Sequence, residues 1–131
     1  MGKGFTQELR IAVDASKDDL DDVLRSSVIA LMSVAIIKTP IDTGRARNNW
    51  FVSIGDVNSP RAERGGDKGG SGSIAELNKV APKLEAGGKI LLFNNLPYIE
   101  KLESGDGSKQ APNGMVRAAV ASWSQIVESN K

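Results

Sequence analysis

The sequence predicts an α+β domain, with a small antiparallel or mixed sheet packed against a long helix in the N-terminal half and an amphipathic helix at the C-terminus. Three observations lead there. Residues 16–40 carry apolar side chains at helical spacing, residues 50–54 alternate as a half-buried strand does, and residues 89–93 (KILLF) form a short apolar run framed by Gly and Asn. These segments alternate without the regular spacing of βαβ units, which argues against a doubly wound sheet. With 131 residues, the chain is too short for two domains that each bury a sizeable core, so residues 1–131 read as one domain.

Residues 5–13 fit either helix or strand. The long helix starts near Ser16, a residue suited to capping the first turn, and Asp18, Asp19, Asp21 and Asp22 place negative charge where the helix dipole favours it. Leu20, Leu24, Val28, Leu31 and Ala35 make one apolar face. Ile29, Met32, Ile36 and Ile37 add a second, so the C-terminal half of this helix should be buried on two sides. Pro40 ends it, because proline lacks an N–H and disfavours helical angles at Thr39.

TPIDTGRARNNW then reverses the chain: Asp42 suits an Asx-type turn, Gly44 supplies unusual backbone angles, and Arg45 and Arg47 lie close to the following strand. In that strand Trp50, Val52 and Ile54 alternate with Phe51, Ser53 and Gly55. Residues 56–73 contain GGDKGGSG, five glycines in eight positions, and the ordering entropy of such a run predicts a mobile insertion. Ser73 would cap a short helix over residues 74–84, with Pro82 near its end and Gly87 and Gly88 closing it. KILLF is the expected central strand, buried on both faces. LPYIEKLESG reads as a turn and a short helix with Tyr98, Ile99 and Leu102 facing inward. Val116, Val120, Trp123 and Val127, with Ala119 and Ile126 beside them, mark a terminal helix over residues 113–129. There is no internal repeat and no sustained heptad pattern.

Composition removes most reaction classes. There is no Cys and no His, which excludes disulfides, thiolate or imidazole metal sites, a Cys nucleophile and His-based acid–base catalysis. Seventeen Lys and Arg face sixteen Asp and Glu, so no global charge points to nucleic acid or membrane. Two Trp, one Tyr and three Phe give little material for stacking single-stranded nucleic acid. The N-terminus lacks the apolar core of a secretory signal, and the apolar stretch at residues 28–37 falls short of the about 18 residues of a membrane span, so a cytosolic setting is expected.

Several short patterns carry a chemical reading beside a plainer one. Asp42-Thr43-Gly44 matches the triplet that supplies the carboxylate in aspartic proteases, where a homodimer brings two carboxylates together to share one proton. It also follows a helix stop and precedes two arginines, which favours a simple Asx-type turn. The Asp18–Asp22 cluster offers oxygen ligands to a hard cation, yet it lacks the Gly and terminal Glu of an EF-hand and is explained by the helix dipole. Lys68 precedes Gly69 and Lys89 precedes Ile90, so neither glycine run completes a phosphate loop. Ser108-Lys109 reads as a solvated loop. Arg45, Arg47, Arg61, Arg64 and Lys68 could neutralise DNA phosphates, but Asp56, Glu63 and Asp67 dilute the patch, and a solvated or partner-facing surface is the default. No cofactor is expected.

Two blocks together resemble a known family. TPIDTGRARNNW, followed later by NNLPYIEKLESG and KQAPNGMVRAAVASW, is similar to the neck or tail-completion (head–tail joining) proteins of long-tailed double-stranded DNA bacteriophages. The resemblance spans residues 20–127 and rests on Pro40, Asp42, Thr43, Gly44, Arg45, Arg47 and Trp50 in the first block. In the second it rests on Asn95, Pro97, Tyr98, Leu102, Glu103, Gly105, Gln110, Ala111, Pro112, Gly114, Met115 and Val116. Ala46 stands where the family commonly has a larger apolar residue, and Ile99 where a small one is usual. The resemblance implies a structural virion protein and not an enzyme. Such a protein is a homo-oligomeric ring at the head–tail junction, made in the host cytoplasm and through whose lumen genome DNA passes. Its implied neighbours are head-completion or connector proteins and tail-terminator or tail-tube proteins, with no membrane partner. Under this reading Arg45 or Arg47 would pair with a carboxylate such as Glu103, of the same or the next subunit, fixing register.

Overall fold

The computed structural model describes residues 9–15, 22–55, 61–104, 110–111 and 113–131. It is an α+β fold built on a three-stranded antiparallel sheet, β1 (Leu9–Asp14), β2 (Phe51–Ile54) and β3 (Lys89–Asn94), in the order β1-β3-β2. Five helices complete it: α1 (Asp22–Lys38), α2 (Ser71–Val80), α3 (Ile99–Glu103), α4 (Val116–Ala121) and α5 (Trp123–Ser129), with a 3₁₀ turn at Ala81–Lys83. The ambiguous N-terminal segment is therefore a strand over Leu9–Asp14, where Leu9, Ile11 and Val13 turn one alternating face to the core. Residues 16–21, where the start of the long helix was expected, lie outside the described residues.

KILLF takes the central position, and Ile90, Leu91, Leu92 and Phe93 are all buried. Its two faces meet different surroundings. Ile90 and Leu92, with Ile11 and Val52, join the main core against Val28, Leu31, Met32 and Ile36 of α1. Leu91 and Phe93 point the other way and join Phe51, whose ring centroid is 5.9 Å from that of Phe93. The simple alternation expected for β2 is thereby corrected. Phe51 is buried on the second face, and Ile54 at the strand end is 39% exposed. Over Phe51 lie the guanidinium groups of Arg61 and Arg64, 4.8 and 4.4 Å from its centroid, so two cations cover this face.

α1 packs against α2, α4 and α5 and buries both expected faces through Leu31, Met32, Ala35 and Ile36. Ile37, in the last turn of the helix, is the exception at 52% exposure. The C-terminal helix is not continuous. At Ser122 the backbone N–H bonds to Ala119 three residues back, and the hydroxyl donates to the Ala118 carbonyl at 3.2 Å, tightening the turn that separates α4 from α5. The buried line then runs through Met115 and Ala119 and leaves Val120 52% exposed, where the even stripe had placed it inside.

The expected mobile insertion over residues 56–73 also needs revision. Residues 56–60 lie outside the described residues, residues 61–70 form a strap bonded across the chain, and 71–73 already belong to α2. Ser73 consequently does not cap a helix. Its hydroxyl accepts from Trp50 N at 2.9 Å and donates to the Arg47 carbonyl at 2.8 Å. Glycine-rich composition argued for disorder, but side-chain amides and a carboxylate elsewhere in the chain supply the partners the strap lacks by itself.

Candidate functional site

The first block folds as a compact turn behind α1. Thr39 is buried, its hydroxyl donating to the Ala35 carbonyl at 2.8 Å and accepting from the Trp50 indole at 2.9 Å. Arg47 reaches back over the same helix end, donating to Ile37 O at 2.6 Å, to Thr39 O at 3.0 Å and to Lys68 O at 3.0 Å. It thus satisfies carbonyls that the last helical turn leaves open, with a cation at the negative end of the dipole. Burial lowers the pKa of this guanidinium from its ordinary value. Trp50 and Pro40 are buried.

Gly44 is needed where it stands. Its φ is +84°, and a Cβ there would lie 2.3 Å from the backbone carbon of Asp67. The strap approaches equally closely from its own side, since a Cβ on Gly66 would lie 2.5 Å from Thr43 O. Asn48 and Asn49 fasten this crossing. Asn48 donates to Gly65 O at 2.8 Å and accepts from Gly72 N at 2.7 Å, while Asn49 accepts from Arg64 N at 2.7 Å and donates to Arg64 O at 3.0 Å. Arg64 donates to Trp50 O at 2.7 Å and to Glu76 at 2.7 Å. Glu76 also accepts from Val52 N and pairs with Arg61. Burial is the main cause lowering the Arg64 pKa, with Glu76 opposing it.

The second block is built around Glu103. Its carboxylate accepts from Met115 N at 2.7 Å, Val116 N at 2.9 Å and Arg117 N at 3.0 Å, and so caps the exposed amides at the start of α4. Arg117 closes the knot, donating through Nε to the carboxylate at 3.2 Å and to the Glu103 carbonyl. Gly114 has φ +78°, and a Cβ there would meet the Glu103 carbonyl and carboxylate oxygens at 2.6 Å. Met115 is fully buried beneath it, Ala111 is buried and Val116 partly so.

The two blocks then meet. Gln110 clamps Ile41, accepting from its N–H at 2.8 Å and donating to its carbonyl at 2.9 Å. Around this clamp a pocket of about 240 Å³ is lined by Pro40, Ile41, Asp42, Thr43, Arg45, Ala46, Tyr98, Leu102 and Gln110. Arg45 lies 5.6 Å over the Tyr98 ring and is fixed from outside by Glu63, with two bonds of 2.7 Å. That pair raises the Arg45 pKa and lowers that of Glu63. The expected pairing of Arg45 or Arg47 with Glu103 within the chain is thus overturned. Arg45 takes Glu63, Arg47 takes backbone carbonyls, and Glu103 is spent on α4.

Seven of the block residues line one surface, while Arg47 and Trp50 act behind it and Glu103, Gly114 and Met115 brace it from the second block. Asn95 is partly buried and Pro97 exposed in the turn leading to Tyr98, and Gly105 and Pro112 lie outside the described residues. Asp42 and Thr43 are exposed at the rim, and among the described residues lining the pocket Asp42 brings the one carboxylate. Among the described lining residues, none supplies the second carboxylate of a shared-proton pair. Asp22, at the end of the acidic cluster, is bonded to Arg25 at 3.3 Å, and the rest of that cluster lies outside the described residues. Sequence reasoning missed Asn48, Asn49 and Glu76, whose bonds to the strap and to β2 span 12 to 24 residues, and no local pattern marks them. The mixed polar and apolar lining suits reception of a protruding side chain. No family model, curated protein or solved structure matches the chain. Among the described residues, no helix is long and apolar enough to cross a membrane.

Proposed function

We propose that this protein is a structural subunit of the neck of a long-tailed double-stranded DNA bacteriophage, a homo-oligomeric ring that completes the tail at the head–tail junction and lets DNA pass. One observation carries the reading. The blocks that resemble the family are built into a single surface by the clamp between Gln110 and Ile41, residues about seventy apart in the chain. The residues that recur in the resemblance thus have structural tasks: glycines where chain crosses chain, and Glu103 and Arg47 at helix ends. Such a surface works by fitting against a neighbour and needs no reactive group. It supports a subunit whose neighbours are further copies in the ring, a connector or head-completion protein, and a tail-terminator or tail-tube protein.

Removing the gene from a phage that carries it should leave filled heads and unattached tails in electron micrographs, and peptides of the protein should be found in wild-type virions. Complete infectious particles without the protein would overturn the proposal. Peptide cleavage at acid pH that is lost in Asp42→Asn would replace it with the protease reading.

A further inference from the structure

The strap over residues 61–70 is fastened by polar bonds. Of its ten residues only Ala62 has an apolar side chain, and that one is exposed, so the segment adds nothing to the hydrophobic core. Four of the ten are glycines, which regain the most backbone freedom on release. On the outer side Glu63 pairs with Arg45, and with 49% and 41% of these side chains exposed the pair is screened by solvent. On the inner side Glu76, only 13% exposed, holds both Arg61 and Arg64. Between these anchors Arg64 N donates to Asn49 Oδ1 and Asp67 N donates to Gly44 O.

We infer that the strap opens as one unit on an otherwise folded protein, with Glu76 as its clasp. Its bonds are coupled through Arg64, whose side chain is tied to Glu76 and whose backbone is tied to Asn49. On opening, water replaces each polar partner, while β2 keeps the bonds that Ser73 and Glu76 of α2 make to Trp50 N and Val52 N. Local opening of this kind is drawn from segments with few apolar contacts. Two groups change state. Arg61 and Arg64 leave the Phe51 ring, and Glu63 leaves Arg45, which lines the pocket of the first block. The freed guanidinium can then take a carboxylate presented by a neighbouring molecule, so Glu63 is a built-in competitor for an acidic partner at that pocket. The opening is a property of the free subunit and does not depend on the neck reading.

Residue-resolved hydrogen exchange on the full chain tests it. In the wild type the Arg64 and Asp67 amides should share one opening constant, larger by about tenfold or more than that of the β3 amides. Val28→Ala thins a core that the closed and open forms have in common, so it should raise β3 exchange by about fivefold or more and leave Arg64 and Asp67 unchanged. Glu76→Gln keeps the shape of the clasp without its charge, and should raise the opening of both strap amides by the same factor, about tenfold. Glu63→Gln should raise both by a smaller common factor. Strap amides that follow β3 in Val28→Ala would show opening only with global unfolding, and amides that respond separately to Glu76→Gln would show independent fraying. Either result overturns the inference, whatever the fate of phage lacking the gene.

Discussion

The two edges of the sheet end in different ways. At β2 the outward amides of Trp50 and Val52 are taken by Ser73 and Glu76, side chains of a helix laid along the strand. At β1 the strand carries its own protection, alternating Arg10, Ala12 and Asp14 on the exposed face. Natural sheets use both devices against uncontrolled pairing, covering an edge or charging it. The difference teaches where the fold has committed its bonds: the covered edge couples the sheet to the strap and to the first block.

Disturbing the covered side should therefore cost most. Trp50→Ala removes a fully buried indole and its bond to Thr39, and should destabilise by about 3–5 kcal/mol in urea titration. Glu76→Ala leaves Val52 N and two arginines without their carboxylate, and about 2–4 kcal/mol should be lost, with proteolysis first appearing in the strap. Glu103→Ala, in the second block, strips the cap from α4 and should cost about 1–2 kcal/mol. Ala12→Lys, by contrast, should move stability by no more than about 0.5 kcal/mol, since that side chain is exposed. A larger loss there than at Glu76 would break the comparison.

The smallest effects lie in the acid limb of the stability curve. Asp67 accepts from Ser71 Oγ and from the amides of Gly69 and Ser71, and these bonds lower its pKa below the ordinary 3.8. Arg45 does the same to Glu63. A depressed carboxyl stabilises the fold above its unfolded value and loses that contribution as pH falls through the folded one. Asp67→Asn and Glu63→Gln should consequently lower stability slightly near neutrality, leave it unchanged at the acid end, and so flatten the shallow decline below about pH 4.

Much of the fold was legible because its signals are local. Pro40 and the helical spacing before it fixed the end of α1, and the apolar KILLF run between Gly and Asn identified the central strand. What escaped was settled at long range. Periodicity cannot see that Ser122 interrupts a helix by bonding its own backbone, or that Phe51 will be covered by arginines from a segment ten residues later. The glycine-rich stretch was misjudged for the same reason: its composition is that of a loose chain, and its order resides in Asn48, Asn49 and Glu76. In the site, the glycines and Gln110 were marked by their motif, but the motif carried no hint that Glu103 serves an amide cap in place of an arginine.

A Cβ on Gly44 would need room held by the backbone of Asp67 and Lys68, and one on Gly66 room held by the backbone of Thr43, so main chain crosses main chain here. Such a crossing has no slack, so it works like a buckle whose two halves have matched thickness. Substitution at one half cannot be rescued by trimming the other, because glycine has nothing left to trim. The strap's geometry at the buckle is therefore fixed by the main chain itself, in addition to the side-chain bonds of Glu63, Arg64 and Asp67 beside it.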